Sequence, residues 1–282
     1  MASELETREW KTVKIERKGD GITFLYMNRP EKRNAMNPTM CFEMCDILDL
    51  LTDDKETRVI VLTGAGEAWT AGMDLREFFR ELDGNPAGRR KAAAANKEWA
   101  FTKLRMNPKP TIAMVNGYCF GGGFSKLIAC DIAIAADDSI FGLSEINWGI
   151  FPAGGLARVL DDAMSLRDAM YYSMTGEPFD GKKASEMRLI TMSVPRDQLI
   201  AKTLEVAKVL SAKNPVVLSA AKIAHKTARR MDYWEADEYT MAKSIAMVAQ
   251  DPEKGRNEGM KQFLDEKRYR PGLGNYIRED KK

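Results

Sequence analysis

Short apolar runs alternate with amphipathic segments over the first half of the chain. The apolar runs lie at about residues 11–17, 21–28, 59–64, 111–117 and 131–137, and helical periods lie between them, at about 38–51 and 88–105. Runs that are apolar at nearly every position are typical of strands covered on both faces. The pattern therefore predicts stacked units of strand and helix.

The pattern changes after Val194, where helical periods follow one another and no further strand is predicted. These periods cover residues 196–211, 215–230, 234–249 and 253–267. Pro215 and Pro252 fall where two of them begin, and proline is tolerated in the first turn of a helix. We expect a core over residues 1–204 and a helical subdomain over residues 205–282.

Composition and charge exclude several classes of protein. The chain has 282 residues, of which 44% are hydrophobic and 30% charged, and its net charge is +2. Such a balance predicts no attraction to nucleic acid or to an acidic membrane. The beginning of the sequence is charged from Glu4 onward, without the apolar run of a signal peptide, and no stretch approaches the roughly 20 apolar residues of a membrane helix. We expect a cytoplasmic protein.

The cysteines do not indicate disulfides or a metal site. Cys41 and Cys45 are four residues apart on a predicted helix, but the sequence offers no second pair of ligands and only one histidine, His225. Cys119 and Cys130 lie in apolar surroundings rather than in a disulfide framework. We therefore expect reduced thiols, no bound metal and a surface position for His225.

A run of three glycines, Gly121 to Gly123, follows a predicted strand and precedes a predicted helix. Glycine allows the backbone to approach a ligand closely, and the first N–H groups of a helix have no partner within the helix. The run therefore favours a site for an oxyanion. A tight turn without a ligand is the alternative.

A second glycine-containing segment, residues 71–75, follows the run at 59–64 and lies before another predicted helix. It offers a second backbone N–H donor, and two such donors that converge on one oxygen form an oxyanion hole. Glu145 lies in a stretch that is otherwise apolar and rich in glycine. Burial would raise the pKa of such a carboxyl and make it suited to proton transfer, unless it is a partly exposed loop residue.

The order and spacing of these segments resemble the crotonase superfamily, the enoyl-CoA hydratases and isomerases, over nearly the whole chain. The resemblance implies a crotonase-type α/β spiral of stacked ββα units with a C-terminal helical subdomain. It further implies an oxyanion hole formed by the N–H groups of Met73 and Gly122, and a substrate that carries coenzyme A, with no separate cofactor. The residues implied to line the CoA channel are Lys32, Arg33, Ala35, Ala71, Asp74 and Leu75.

One position departs from the pattern of the hydratases, which usually carry two glutamates. The first position is Ser125 here, and the second is Glu145. Within the family the chain looks most like the hydroxycinnamoyl-CoA (feruloyl-CoA) hydratase-lyases, through residues 64–75, 110–117, 120–125 and 141–150. The implied reaction hydrates feruloyl-CoA and cleaves the product to vanillin and acetyl-CoA. Ser125 then orients water or is simply a helix N-terminal serine.

Recognition of the substrate phenol is less clearly defined by the sequence. Phe78 and Met241 occupy positions where the resemblance leads us to expect tyrosines, and Tyr118 or Tyr239 is available to replace them. Both tyrosines have packing as their alternative role.

Near the end of the chain, Phe263 and Lys267 resemble residues of a helix that reaches the adenine of CoA, often on a neighbouring subunit. Being four apart, they are expected on one helical face, and their alternative is an ordinary helix with a buried aromatic and a solvated lysine. The implied assembly is a homotrimer or a hexamer of two trimers. Two other functions remain open, an enoyl-CoA hydratase or isomerase for other acyl-CoA substrates and a non-catalytic CoA-binding scaffold.

Overall fold

A computed structural model of the chain describes residues 4–269 and 274–278. The chain divides into two compact units, residues 1–207 and residues 208–282. The sequence placed this division between residues 204 and 205, within what the structure defines as one continuous helix, Leu199–Ser211. Residues 270–273 and 279–282 of the predicted helical subdomain lie outside the described residues.

The first unit is built on two β-sheets that together hold the strands of the described chain. The strands are β1 (Val13–Arg17), β2 (Ile22–Met27), β3 (Val59–Gly64), β4 (Ala68–Thr70), β5 (Thr111–Val115), β6 (Tyr118–Phe120), β7 (Ile132–Ala136), β8 (Ile140–Gly142), β9 (Phe179–Asp180) and β10 (Met192–Val194).

The larger sheet has six strands in the order β1-β2-β3-β5-β7-β10. β1 is antiparallel to β2, and every other neighbouring pair is parallel. β3 is buried at all of its positions, because helices cover both faces of a parallel sheet and leave no strand face for water. The alternation of strands and helices predicted from the sequence is thus confirmed.

Eleven α-helices lie in the described chain. They are α1 (Glu4–Thr7), α2 (Pro38–Asp53), α3 (Pro86–Lys97), α4 (Gly123–Ala129), α5 (Leu156–Ala163), α6 (Leu166–Thr175), α7 (Gly181–Glu186), α8 (Leu199–Ser211), α9 (Pro215–Ala228), α10 (Tyr233–Gln250) and α11 (Gly255–Met260).

α2 shows how local sequence defines these helices. The Asn37 side chain accepts a hydrogen bond from the N–H of Met40 at 2.9 Å, and Pro38 occupies the first helical position. An N-cap of this kind stabilises a helix by about 1 kcal/mol. The buried face of α2 then joins the core. α3 likewise continues without a break into a π-helical segment, Glu98–Leu104, so that the predicted helix at 88–105 spans both.

The smaller sheet was not predicted from the sequence. Its four strands, in the order β4-β6-β8-β9, have only two or three residues each, too few for a recognisable alternation. β4, β6 and β8 are parallel, with β9 antiparallel at the edge. The carboxyl ends of the three parallel strands therefore meet at one edge, where α/β proteins commonly bind ligands.

The second unit consists of α9 and α10, which pack against each other, followed by α11 and a π-helical segment, Lys261–Asp265. The first helices have side-chain caps, from Asn214 for α9 and from Asp232 in a capping box with Glu235 for α10. Among the helices of the described residues, none combines the length and apolar character that crossing a membrane requires.

Candidate active site

The three segments singled out in the sequence lie at the same edge of the smaller sheet. β4 leads into residues 71–73, β6 into Gly121 and Gly122, and β8 into the turn that carries Glu145. The N–H of Gly121 donates to the carbonyl of Gly142 at 3.0 Å, which continues the pairing of β6 and β8 into the site. Strand topology therefore brings together residues that are far apart in the sequence.

Met73 and Gly122 are in direct contact. A Cβ atom placed on Gly122 would lie 3.0 Å from Met73 Cγ, and one placed on Gly72 would lie 2.7 Å from the carbonyl oxygen of Phe120. Gly72 has a φ of +89°, in the left-handed region that favours glycine. The two backbone segments approach this closely because both present glycine at the contact.

The N–H groups of both residues are available to a ligand. Met36 and Met73 form a parallel β-bridge. The N–H of Met36 donates to the carbonyl of Gly72, and the carbonyl of Met36 accepts from the N–H of Asp74, so the N–H of Met73 points away from this bridge. Gly122 is the N-cap of α4. Within residues 4–269 and 274–278, neither N–H donates to a protein acceptor. The predicted oxyanion hole is geometrically possible.

The carboxylate of Glu145 lies against the glycine run. Its Oε1 atom would be 2.7 Å from a Cβ on Gly121, a residue with a φ of +49°. A 3-10 turn, Ser144–Trp148, holds Glu145 and ends at Gly149 in the left-handed conformation. Oε2 is buried and has no hydrogen-bond partner among the described residues, and desolvation raises the pKa of this carboxyl. Glu145 thus has the environment of a general acid and base.

Ser125 is buried in the first turn of α4, and its hydroxyl donates to the carbonyl oxygen of Gly122 at 2.8 Å. This bond within the first turn agrees with the alternative interpretation, a helix N-terminal serine. The lone pairs of the oxygen remain, so a role in orienting water stays a prediction.

The segments predicted to line the CoA channel also lie side by side. The N–H of Ala71 donates to the carbonyl of Arg33 at 2.8 Å. Arg33 and Asn34 both have left-handed φ values, of 48° and 55°. This turn is held by the Asn34 amide, which donates to two backbone carbonyls. Lys32 and Arg33 are exposed, Leu75 is 58% exposed, and Ala35 and Ala71 are half-buried.

Asp74 was predicted to contact CoA, but its carboxylate is engaged within the protein. It accepts from the guanidinium of Arg29 at 2.9 Å and from the backbone N–H groups of Arg76 and Glu77. Burial alone would raise its pKa, but these bonds outweigh it and lower the pKa. Arg29 also pairs with Glu77 and donates to the carbonyl of Ala35 at 2.7 Å. The carboxylate of Asp74 therefore positions the turn, and contact of Asp74 with CoA stays a prediction.

Two of the residues predicted to meet the substrate ring lie in the first unit. Phe78 is 6% exposed and packs edge to face against Phe79, with ring centroids 5.3 Å apart. Tyr118 is half-buried, and the Arg33 guanidinium lies 5.5 Å from its ring centroid. Because Arg33 belongs to the predicted CoA turn, Tyr118 is linked to that turn. Contact of either ring with substrate stays a prediction.

The other predicted ligand contacts lie in the second unit. Tyr239 is half-buried and Met241 is 59% exposed, both on α10. The expectation that Phe263 and Lys267 share a helical face is wrong. The helical segment ends at Asp265, and Lys267 follows it with a left-handed φ of 52°. Their contact with adenine stays a prediction.

The sequence assigned no role to Arg29 and Asn34, and the structure shows that both position the site. Arg29 and Asn34 hold the turn at 29–35, and Gly121 sets the place of Glu145. Arg29 and Asn34 bond to each other, and they also bond to Asp74 and Ala65, which are 45 and 31 residues away in the chain. Gly121 belongs to the glycine run identified in the sequence, but its closeness to Glu145 could be seen only in the structure.

The sequence profile of the family described as enoyl-CoA hydratase/isomerase matches residues 17–271. The chain is 53% identical over 270 residues to a hydroxycinnamoyl-CoA hydratase-lyase of Pseudomonas fluorescens, covering 95% of this chain and 98% of that protein. An enoyl-CoA hydratase of Mycobacterium tuberculosis is 34% identical over 206 residues, which cover 73% of this chain and 77% of the relative.

Among solved structures, an enoyl-CoA hydratase from Bacillus anthracis superimposes with a TM-score of 0.82 at 26% identity. The match covers 91% of this chain and 97% of that one. The crotonase fold predicted from the sequence is thereby confirmed.

Proposed function

The chain belongs to the enoyl-CoA hydratase/isomerase family and acts on acyl-CoA thioesters, and we propose that its substrate is a 4-hydroxycinnamoyl-CoA such as feruloyl-CoA. In this reaction the enzyme hydrates the double bond and then cleaves the product to an aromatic aldehyde, such as vanillin, and acetyl-CoA. The observation that carries the proposal is the pairing of one half-buried carboxylate, Glu145, with the contact between Met73 and Gly122.

In the first step water adds across the double bond. Glu145 takes a proton from the water as its oxygen bonds to the β-carbon, and then passes this proton to the α-carbon, which restores the carboxylate. Negative charge develops on the thioester oxygen, where the N–H groups of Met73 and Gly122 stabilise it. One such donor typically contributes about 3 to 4 kcal/mol to transition-state stabilisation.

In the second step the β-hydroxyl loses its proton to Glu145 as the bond between the α-carbon and the β-carbon breaks. The β-carbon leaves as the aldehyde, and the electron pair of the broken bond forms the enolate of acetyl-CoA. Glu145 then returns the proton to the α-carbon. A carboxyl whose pKa is raised by burial suits both transfers, because it exchanges protons nearer to neutral pH.

A single carboxylate suffices if the substrate assists the reaction. A 4-hydroxyl group on the ring pushes electrons toward the β-carbon and stabilises positive charge there. The water then needs less activation, which fits a site with Ser125 in place of a second glutamate. The Phe78 ring can pack against the substrate ring but cannot hydrogen-bond to its phenol. We therefore expect Tyr118 or Tyr239 to meet the phenol.

The competing activity is hydration or isomerisation of aliphatic acyl-CoA, which would not need a ring substituent. Parallel assays of feruloyl-CoA and crotonyl-CoA distinguish the two activities. We expect release of vanillin from feruloyl-CoA at a kcat/KM at least 100-fold above that for crotonyl-CoA hydration. The opposite preference would refute the proposal. Binding of both esters without turnover would indicate a CoA-binding scaffold.

Coenzyme A is proposed to enter as part of the substrate, along the turn at 32–35 and the segment 71–75, with no further cofactor. The two exposed cations of the turn, Lys32 and Arg33, suit the phosphates of CoA. The protein is expected in the cytoplasm, where acyl-CoA esters and reduced thiols occur together.

We also propose that the protein assembles as a homotrimer or as a hexamer of two trimers. Two helices expose apolar side chains at helical spacing, which monomeric proteins rarely do over a large area. Light scattering at micromolar concentration should give the mass of a trimer or hexamer, and the mass of a monomer would contradict the assembly. The exposed residues are Leu166, Met170 and Met174 on α6, and Trp234, Met241, Ile245 and Val248 on α10.

A further inference from the structure

Lys126 is a fully buried lysine one turn into α4, the helix that begins directly after Gly122. Lysine is almost never completely buried unless it is paired with a carboxylate. Across residues 4–269 and 274–278, no carboxylate lies within ion-pairing distance of the Lys126 ammonium. The mechanism described above makes no use of this group.

Neutral groups surround the ammonium instead. It donates to Asn96 Oδ1 on α3 at 2.5 Å and lies 4.8 Å from the ring centroid of Trp99 in the π-helical segment. From α2 it faces the thiol of Cys41, whose pKa burial raises to about 11. All these neighbours are uncharged at neutral pH, so the positive charge of Lys126 is not compensated.

We infer that Lys126 is an electrostatic positioning residue, whose uncompensated charge strengthens the oxyanion hole at Met73 and Gly122 without touching the substrate. Lys126 and Gly122 are four residues apart, and in helical geometry residues at this spacing share one side of the helix about 6 Å apart along its axis. The inference rests on the proposed function, since it takes these two N–H groups to hold a thioester enolate.

The size of the effect follows from Coulomb's law. At a separation of about 10 Å and an effective dielectric constant of about 20, Coulomb's law gives an attraction between an ammonium and an enolate that corresponds to about a tenfold effect on enolate stability. Screening by salt is weak for a group with no exposed surface.

The charge should be lost within an accessible pH range. Desolvation lowers the pKa of Lys126 from 10.5 to about 8, while the charge of Cys41, were it to ionise, would act in the opposite direction. Stabilisation of the enolate is therefore expected to be complete below pH 8 and to weaken as the pH rises through that value.

The test uses acetoacetyl-CoA, a β-keto thioester that loses its α-proton to form an enolate with a distinct ultraviolet absorbance. Its apparent pKa when bound to the protein measures enolate stabilisation and requires no turnover. Lys126→Met removes the charge, and Asn96→Asp keeps the lysine but places a carboxylate beside it. Asn96→Ala, the matched control, removes the hydrogen bond without adding charge.

We expect the pKa of bound acetoacetyl-CoA to rise by about one unit, a tenfold loss, in both Lys126→Met and Asn96→Asp, and to change little in Asn96→Ala. Neutral ester binding should stay within twofold. The alkaline decline near pH 8 should disappear in Lys126→Met and move to higher pH in Asn96→Asp. If Lys126→Met fails to fold, Asn96→Asp decides the question alone.

Equal enolate stabilisation in Asn96→Asp and wild type would overturn the inference, and so would a failure of the wild type to stabilise the enolate. Release of vanillin from feruloyl-CoA, measured in parallel, separates this result from the fate of the proposed function. If enolate stabilisation depends on the charge of Lys126 but feruloyl-CoA is not cleaved, the proposed function is refuted and the role of Lys126 is retained.

Discussion

Gly121→Ala should reduce turnover strongly while leaving the protein folded. A Cβ atom at this position would lie 2.7 Å from Oε1 and 3.2 Å from the carboxyl carbon of Glu145. Ordinary van der Waals contacts between such atoms are about 3.5 to 4 Å, so the carboxylate has to move by about 1 Å. A misplacement of about 1 Å can cost about 100-fold in rate, and we expect a loss of that order in kcat.

The same substitution also has a backbone cost, which a control must separate from the effect on Glu145. Gly121 has a φ of +49°, and an L-residue in the left-handed region costs roughly 1 to 2 kcal/mol. Gly19 has a φ of +79°, and nothing lies within 4 Å of its Cβ position. Gly19→Ala should therefore lose similar stability and no activity.

The assay is the initial rate of vanillin release from feruloyl-CoA, with the free energy of unfolding in urea measured for each variant. The expected pattern is a similar loss of stability in both variants and a loss of kcat in Gly121→Ala alone. Wild-type kcat in a folded Gly121→Ala would refute the placement of the Glu145 carboxylate. Equal losses of activity in both variants would attribute the effect to the backbone.

Three further predictions concern the neighbouring groups. Ser125→Ala should lower kcat less than tenfold, because its hydroxyl donates within α4 and water can replace one neutral group at the substrate; a loss equal to that of removing the carboxylate would make Ser125 an obligatory partner. Lys126→Met should stabilise the protein at pH 7 by up to about 3 kcal/mol in urea unfolding. Folding lowers the pKa of Lys126 from 10.5 to about 8, so keeping the lysine charged costs stability below pH 8. The advantage of Lys126→Met over wild type should shrink as the pH rises toward 10.5. The acid limb of kcat/KM should have its midpoint above 4.5, because desolvation raises the pKa of Glu145 and the base must be ionised.

Much of the larger sheet could be predicted from the sequence because its strands have long apolar runs. β3 is apolar from Val59 to Leu62, and the structure buries all of it. The smaller sheet could not be predicted, since strands such as β9, with two residues, carry no periodicity. Tertiary pairing defines these strands, and they in turn align the site segments.

The site was predicted as a set of residues but not as a network. Glycines beside Met73 and Gly122 indicated close backbone approach, and the structure brings these residues into contact. The role of Arg29 as the partner of Asp74 could not be inferred, because 45 residues separate them in the sequence. The helix predicted to reach Lys267 ends at Asp265 in the structure. No sequence signal marked the left-handed turn at Lys267 that follows it.

The proton-transfer role of Glu145 is tested most directly by Glu145→Gln, which keeps the shape of the side chain and removes its basicity. Turnover of feruloyl-CoA and the Kd of a non-reactive CoA ester should be measured on the same preparation. We predict a fall in kcat of at least 100-fold with a Kd within about threefold of wild type, because general acid and base groups contribute about 10² to 10⁴ in rate while the backbone amides hold the ester. A loss of only a few-fold in kcat would contradict the account, since another group would then have to carry the protons.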